Sequence, residues 1–291
     1  MKKFREDIMT LRHGRKRTAG VGALHSKWGK SLSRRVINEA VRLYRDEISR
    51  DKRAMQRRLK WHVGGLVWAV DDTELSIDGI KMNVHNVRDI ASRYTFRPSV
   101  GAIPKGIDVA QNLELLFHDH GAPLFLKRDN GGNLNSSEVD RVLERFGVIA
   151  LNSPKYYPPY NGAVERCQRE MKEEIQKRYE GGCGDFLAMA QLSAHDLNHV
   201  RRDCLQGSSA CAVLESGRIE MKKYNMKKRK EVRNQLMALV GQISENTDGK
   251  KPKDFDTIWR VAVETWLREH GLLTVLNNKK CNPIYHEIES H

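Results

Sequence analysis

A short apolar run that ends in an acidic turn is the feature that most constrains the fold of this chain. Residues 124–126 (Leu-Phe-Leu) have the composition of a buried strand, and the chain turns directly afterwards at residues 130–132 (Asn-Gly-Gly). Asp129 is therefore predicted at the carboxyl end of a core strand. Packing alone does not require a carboxylate there, so the pattern indicates a functional site at an edge of a sheet.

A second carboxylate follows at the start of a long helix. Apolar residues at helical spacing predict a helix over 137–146, with Ser137 as its N-cap, and a short strand over 148–151. A helix over 162–180 then presents an apolar stripe, and Glu165 lies in its first turn beside that stripe. Carboxylates on a strand end and on a nearby helix can converge on one divalent cation, because hard ions such as Mg²⁺ prefer oxygen ligands.

A third acidic position lies upstream, at the end of another apolar strand. Residues 66–70 (Leu-Val-Trp-Ala-Val) lead directly into Asp71 and Asp72. Neighbouring side chains of a strand point to opposite faces of the sheet. Only one of these two carboxylates is therefore expected to share a site with Asp129.

Basic residues are concentrated at the start of the chain. Residues 1–60 contain 19 Lys and Arg against 6 Asp and Glu, whereas residues 61–180 contain 15 against 17. A basic segment attached to a slightly acidic domain suits one part that binds a polyanion and another that gathers cations for chemistry. A helix with one apolar side begins after Ser33. It is interpreted either as part of a partial helix-turn-helix or as a solvated amphipathic helix beside a basic tail.

Three motifs give the middle of the chain a family resemblance. They are W-x-x-D-x-T at residues 68–73, D-N-G-G at residues 129–132 and P-x-x-N-G-x-x-E-R at residues 158–166, with 35 residues between Asp129 and Glu165. Their order and spacing resemble the integrase catalytic core of retroviral integrases and related bacterial insertion-sequence transposases, the D,D(35)E family. The resemblance extends over residues 64–217 and favours Asp71 over Asp72. It departs from the family where Ala210 replaces the usual proline.

The resemblance implies an α/β protein with a ribonuclease-H-like mixed-sheet core. Three antiparallel strands are expected over 65–71, 80–87 and 94–100, followed by a helix over 107–120 and parallel strands over 123–128 and 148–151. The expected domains are a basic helical DNA-binding arm over 1–60, the integrase catalytic core over 61–182 and a helical region over 183–291.

The helical region is predicted from its pattern, because the resemblance does not reach its end. Apolar spacing predicts helices over 186–199 and 221–243 and a further helix with Asp256 as its N-cap. A DNA-binding or multimerisation module is one hypothesis for this part.

The resemblance also implies an activity. A member of this family is a DNA transposase or integrase, which cleaves the 3′ ends of a mobile element with the help of metal ions and transfers the strands into target DNA. Two Mg²⁺ or Mn²⁺ ions are expected at Asp71, Asp129 and Glu165, with Asp71 between the ions. Two alternatives share the fold: a catalytically inactive or domesticated DNA-binding protein, and a nuclease that cuts without joining.

Candidate DNA contacts come from basic residues in the arm, in the link to the core and on the Glu165 helix. They are Arg34, Arg35, Arg57, Arg58, Lys60, Arg166, Arg169 and Lys172. For the residues of the Glu165 helix, a solvated outer face is the simpler interpretation. Contact with DNA near the scissile phosphate is the functional one.

The remaining expectations concern partners and location. The predicted partners are DNA, from element ends and target, and further copies of the chain in a homo-oligomer. The five cysteines show no metal-ligand spacing, which predicts reduced thiols. No stretch approaches a membrane span, so no membrane partner is expected and the predicted location is cytoplasmic, associated with the nucleoid in a prokaryote.

Overall fold

The computed structural model of the chain describes residues 2–9, 20–55, 58–153, 162–179, 184–245 and 255–276. The chain divides into two compact units, one formed by residues 1–58 with 276–291 and the other by residues 59–275. No described helix combines the length and the apolar composition that crossing a bilayer requires.

The described helices are, in chain order, α1 (Lys2–Met9), α2 (Val21–Trp28), α3 (Arg34–Met55), α4 (Gly106–His120), α5 (Ser137–Arg145), α6 (Gly162–Arg178), α7 (Phe186–His199), α8 (Ala210–Met221), α9 (Met226–Glu245) and α10 (Phe255–Glu269). The described strands are β1 (Arg58–Trp61), β2 (Val67–Ile77), β3 (Ile80–Asp89), β4 (Ser99–Gly101), β5 (Phe125–Arg128), β6 (Ile149–Asn152), β7 (Arg201–Arg202), β8 (Ser208–Ser209) and β9 (Leu273–Leu276).

The N-terminal unit is built from α1, α2 and α3 around a small apolar core. Leu24 of α2 and Ile37 and Val41 of α3 are buried in it together with two apolar residues of α1. Ile37 and Val41 are four residues apart, so they lie on one face of α3. The indole nitrogen of Trp28 donates a hydrogen bond to Asp7 at 2.7 Å, which ties α2 to α1.

The second unit is organised around a five-stranded mixed sheet with the order β4-β3-β2-β5-β6. Strands β2, β3 and β4 are antiparallel neighbours, whereas β2, β5 and β6 run parallel. The β2–β3 hairpin turns at Asp78 and Gly79, which both have positive φ, as the tight turns that match strand twist require. This strand order confirms the predicted ribonuclease-H-like fold class.

The parallel pairing of β2 with β5 sets the position of the predicted acids. Its register runs from Val67 opposite Phe125 to Val70 opposite Arg128. Asp71 and Asp129 each follow the last paired residue directly. The two carboxylates therefore occupy neighbouring positions where the parallel pairing ends, and β2 continues past Asp71 in its pairing with β3.

Helices cover both faces of the sheet. On one face, Trp68, Val70 and Leu126 are buried in a cluster with apolar residues of α4 and α5. On the other face, Ala69 and Phe125 are buried in a cluster with residues of α9 and α10. Towards the far end of β2 and β3, α6 and α7 cover the sheet. The result is a helix–sheet–helix sandwich, the arrangement in which a sheet buries both of its faces.

The covering of the second face was not predicted from the sequence. Val232 and Leu236 of α9 and Trp266 of α10 are buried against the central strands. The guanidinium of Arg229 donates hydrogen bonds to the backbone oxygens of Ala122, Pro123 and Tyr224. Part of the predicted C-terminal region therefore shares a core with the sheet, and the predicted boundary after residue 182 stays a prediction.

Four local expectations are corrected by the structure. The first strand, predicted over 65–71, continues to Ile77, because its hairpin partner β3 extends the ladder beyond Asp71. The third strand is only β4, preceded by an isolated bridge between Arg88 and Thr95, because Pro98 has no amide hydrogen for a ladder. The N-cap of α5 is Ser136, whose hydroxyl accepts from the amide of Val139, and not Ser137. The helix predicted over 221–243 begins at Met226, because α8 already ends at Met221.

Because α9 covers the sheet, we expect Leu236→Ala to lower the free energy of unfolding by about 2–5 kcal/mol. Leu236 is fully buried (0% exposed), so truncation leaves a cavity between α9 and the sheet. Urea unfolding followed by circular dichroism measures the change. Leu115→Ala is the matched control, because the Leu115 side chain is 64% exposed. Equal effects in the two variants would contradict this packing of α9.

Candidate active site

Two of the three predicted carboxylates meet at the edge of the sheet. Asp71 and Asp129 both line a small cleft, together with Ala69, Val70, Lys127, Arg128 and Ser153. Burial, and next to it the negative charge of Asp129, raises the pKa of Asp71 from 3.8 to about 6. A carboxylate whose ionisation is hindered by burial and by a neighbouring carboxylate marks a place where a cation is favoured.

Asp71 is held from both sides. One carboxylate oxygen accepts the amide of Asp72 at 2.9 Å, and the other accepts the side-chain amide of Gln168 at 2.7 Å. Gln168 lies on α6, one turn after Glu165. It therefore links the predicted catalytic helix to the predicted catalytic strand.

Gln168 is a site residue that the sequence interpretation missed. The signal was a polar residue within an apolar stripe, because Gln168 lies four residues after Val164 and three before the buried Met171. A glutamine on the buried side of a helix requires a hydrogen-bond partner, and here that partner is Asp71.

Asp129 is fixed by the turn that follows it. Its carboxylate accepts the amide of Gly131 at 2.8 Å, and its backbone oxygen accepts the side-chain amide of Asn135 at 2.7 Å. A Cβ at position 131 would lie 2.9 Å from the Asp129 carboxylate and 3.0 Å from the Asn133 side chain. The glycine therefore leaves room for the carboxylate, and Asn130 and Gly131 form the turn as predicted.

Glu165 lies in the first turn of α6 and is exposed. Residues 154–161, which lead into α6, are outside the described part of the chain. Among the described residues, no three His, Cys, Asp or Glu side chains are arranged as a ready metal site. The structure thus brings Asp71 and Asp129 together and does not gather all three predicted ligands.

Lys127 is a second site residue that the sequence interpretation missed. Its amine interacts electrostatically with Glu165 and with Asp71. Its side chain is only 4% exposed, two residues before Asp129 on β5. Burial lowers the pKa of Lys127 to about 7, although the negative charges of Glu264, Asp71 and Glu165 act in the opposite direction. Asp71 and Glu165 are therefore both close enough to Lys127 to influence its charge.

The donor set suits a hard divalent cation. Asp71, Asp129 and Glu165 offer carboxylate oxygens alone, and such oxygens are the preferred ligands of Mg²⁺. Asp72 faces the other side of the sheet, where its two oxygens bind His85 at 2.6 Å and Asn133 at 2.7 Å. The alternation of β2 thus separates the two adjacent aspartates as expected.

The predicted DNA contacts are spread over the two units. Arg34 and Arg35 are exposed at the start of α3 in the N-terminal unit. In the second unit, Lys60 is exposed on β1, Arg166 and Arg169 are exposed on α6, and Lys172 is partly buried there. Arg57 lies outside the described residues, and Arg58 is described only as the first residue of β1.

Comparisons with known proteins agree with this fold. No protein-family model matches the chain. Over 142 residues, which are 47% of the chain, it is 30% identical to the Gag-Pro-Pol polyprotein of mouse mammary tumor virus (strain BR6), and it spans 8% of that protein's length.

Solved integrase cores resemble part of the chain. The catalytic core domain of BIV integrase is 24% identical, covers 56% of the chain and 100% of that domain, and has a TM-score of 0.45. The catalytic core domain of HTLV-2 integrase in complex with magnesium is 16% identical, covers 53% and 99% respectively, and has a TM-score of 0.46.

The motifs, the strand order and the viral polyprotein relative point to one class of protein. The chain contains an integrase-like core, in agreement with the resemblance found in its sequence.

The raised pKa of Asp71 predicts how stability depends on pH in the absence of divalent ions. An acid whose pKa is higher in the folded chain favours folding below its unfolded pKa, and this contribution is lost as the pH rises through the folded value of about 6. We therefore expect the free energy of unfolding of Asp71→Asn, relative to that of the wild type, to increase by about 1–3 kcal/mol as the pH rises from about 4 to about 8. This range is discounted for the partial exposure of Asp71.

Urea unfolding in EDTA at several pH values measures this difference. Asp78→Asn is the matched control, because Asp78 lies in the exposed β2–β3 turn, where asparagine also tolerates positive φ. A difference between Asp71→Asn and wild type that does not change with pH would contradict the close approach of Asp71 and Asp129.

Proposed function

We propose that the chain is a DNA transposase or integrase that cleaves the 3′ ends of a mobile element and joins them to target DNA. The observation that carries the proposal is the pair Asp71 and Asp129, which each follow the last residue that pairs β2 with β5, with Glu165 at the start of α6. The integrase-like core supports this class of activity. The cleavage and joining steps are our proposal.

We propose that Asp71, Asp129 and Glu165 hold Mg²⁺ or Mn²⁺, with two ions in the complete site. Ions held by these carboxylates would supply activation of the attacking water or 3′-hydroxyl and stabilisation of charge on the leaving oxygen. HTLV-2 integrase, a structural relative, has a catalytic core described in complex with magnesium.

The chain's own residues prepare this site. Gln168 fixes the orientation of the Asp71 carboxylate, and the turn amide of Gly131 fixes that of Asp129. Lys127 places a largely buried amine beside the acids, which reduces their mutual repulsion. The third ligand, Glu165, lies on the helix that Gln168 connects to Asp71, so substrate DNA can bring Glu165 into place by moving one element.

We propose that Arg166, Arg169 and Lys172 contact the DNA backbone on the α6 side of the site. Arg34 and Arg35 begin α3, which follows α2 after a short turn, as in helix-turn-helix proteins. Together with Arg57, Arg58 and Lys60 they form the proposed DNA-binding arm. Phosphate contacts of this kind give affinity without sequence specificity.

Joining two element ends to one target requires two active sites, so we propose that the chain works as a homo-oligomer on paired ends. The departure at Ala210 does not argue against activity. Ala210 is the first residue of α8, after the N-cap Ser209, and both proline and alanine suit that position. The cytoplasmic, nucleoid-associated location stays a prediction.

Strand transfer tests the proposed activity. With Mg²⁺ and DNA carrying the sequences that flank its reading frame, the wild-type protein is expected to yield joined product. Glu165→Gln is expected to reduce that product by more than about 100-fold, because losing even an outer partner of a metal ligand typically costs about 10–100-fold. DNA binding should remain.

Glu173→Gln is the matched control, because Glu173 is exposed on the same helix, two turns away. Joined product that persists in Glu165→Gln would contradict the role of Glu165. Cut but unjoined DNA from the wild type would indicate a nuclease of the same fold, and binding without cutting an inactive DNA-binding protein.

A further inference from the structure

Three elements meet beside α6 at a junction that the proposed metal site does not use. Thr95, in the connection between β3 and β4, lies 3.4 Å from the sulfur of Cys167 on α6. The side chain of Asn198 on α7 binds both backbone groups of Thr95, at 2.8 Å each. The β3–β4 connection, α6 and the end of α7 are therefore held together at this point.

Four arginines surround this junction, and we call them the arginine cluster. Arg88 pairs with Thr95 in the isolated bridge, and its side chain is only 4% exposed. Arg93 is partly buried in the same connection, Arg166 precedes Cys167 on α6, and Arg202 follows α7. Arg88 and Arg166 both contribute repulsive charge at Arg93.

The acids near the arginine cluster are already engaged. Glu170 accepts the guanidinium of Arg202 at 3.0 Å. Burial raises the pKa of Asp89 to about 6, although hydrogen bonds from Ser92 and from the amide of Gly65, and the charge of Arg88, act in the opposite direction. Within the described part of the chain, the side chains of Arg88, Arg93 and Arg166 make no hydrogen bond or ion pair.

This arrangement is unfavourable for the protein alone. Burial, and then the charges of Arg88 and Arg166, lower the pKa of Arg93, although Cys204 and Glu170 act in the opposite direction. A guanidinium cannot relieve this by losing its proton. Arg93 also has a φ of 65°, a conformation that is uncommon for a residue other than glycine. Crowded positive charge without hydrogen-bonded partners, combined with backbone strain, is typical of functional sites, where a ligand supplies what the fold does not.

We propose that the arginine cluster binds a phosphodiester group of the DNA strand beside Glu165. Arg166 follows Glu165 directly in α6, so the cluster begins next to the proposed catalytic residue. Guanidinium groups bind phosphate oxygens through two parallel hydrogen bonds, which suits an anion with several acceptor oxygens. The proposal rests on the proposed function, because it takes DNA as the substrate.

The test separates a ligand site from a structural one. Binding of a short labelled DNA duplex is measured by fluorescence anisotropy in EDTA at several salt concentrations, and the melting temperature of each protein is measured without DNA. For Arg88→Met and Arg93→Asn, the salt dependence, expressed as the slope of log K against log salt, is expected to fall by about 0.9 per lost phosphate contact. Their melting temperatures should be unchanged or higher, because like charges are removed.

Two further variants sharpen the result. Arg93→Lys retains the positive charge and should retain most of the salt slope. Arg229→Met is the matched control, because Arg229 is, like Arg88, a buried arginine, and its hydrogen bonds go to backbone oxygens of the loop before β5. It is expected to lower the melting temperature and leave the salt slope unchanged.

The proposal is overturned if Arg88→Met and Arg93→Asn keep the wild-type salt slope. It is also overturned if they behave like Arg229→Met, because the cluster would then be structural. Failure of the wild-type protein to bind DNA at any salt concentration would overturn both this proposal and the proposed function. Wild-type binding with an unchanged salt slope in the variants would overturn this proposal alone.

Discussion

The parallel pairing of β2 with β5 is the constraint on which the site depends. A carboxylate that follows a short apolar run has a fixed position only if that run is paired in a fixed register with the neighbouring strand. Here the register ends at Val70 and Arg128, so Asp71 and Asp129 follow side by side. Their repulsion is tolerated because Lys127 and the hydrogen bond from Gln168 offset it.

The C-terminal helices give this sheet edge its support. Parallel strands must be covered on both faces, and α9 and α10 cover the face that carries Ala69 and Asp71. At the opposite end of β5, Arg229 donates hydrogen bonds to two backbone oxygens of the preceding loop. The helices beyond the family resemblance therefore hold the strands whose ends form the site.

The sequence predicted what local patterns determine. Strand alternation separated Asp71 from Asp72, and motif spacing predicted the element order and the fold. Long-range packing was not predictable in this way. The apolar face of α9 indicates that the helix packs against another element, but it does not indicate which element that is. For the same reason the burial of Lys127 near the end of β5 was not predicted. Gln168 was detectable as a polar residue in an apolar stripe, but its partner was not.

The central claim is that Asp71, Asp129 and Glu165 hold the same divalent ions. Anomalous scattering from crystals of the protein soaked in Mn²⁺ with bound DNA tests it most directly. The account predicts anomalous peaks in contact with all three carboxylates. Peaks held by Asp72 and His85 on the opposite face, or peaks that leave Glu165 unliganded, would contradict it.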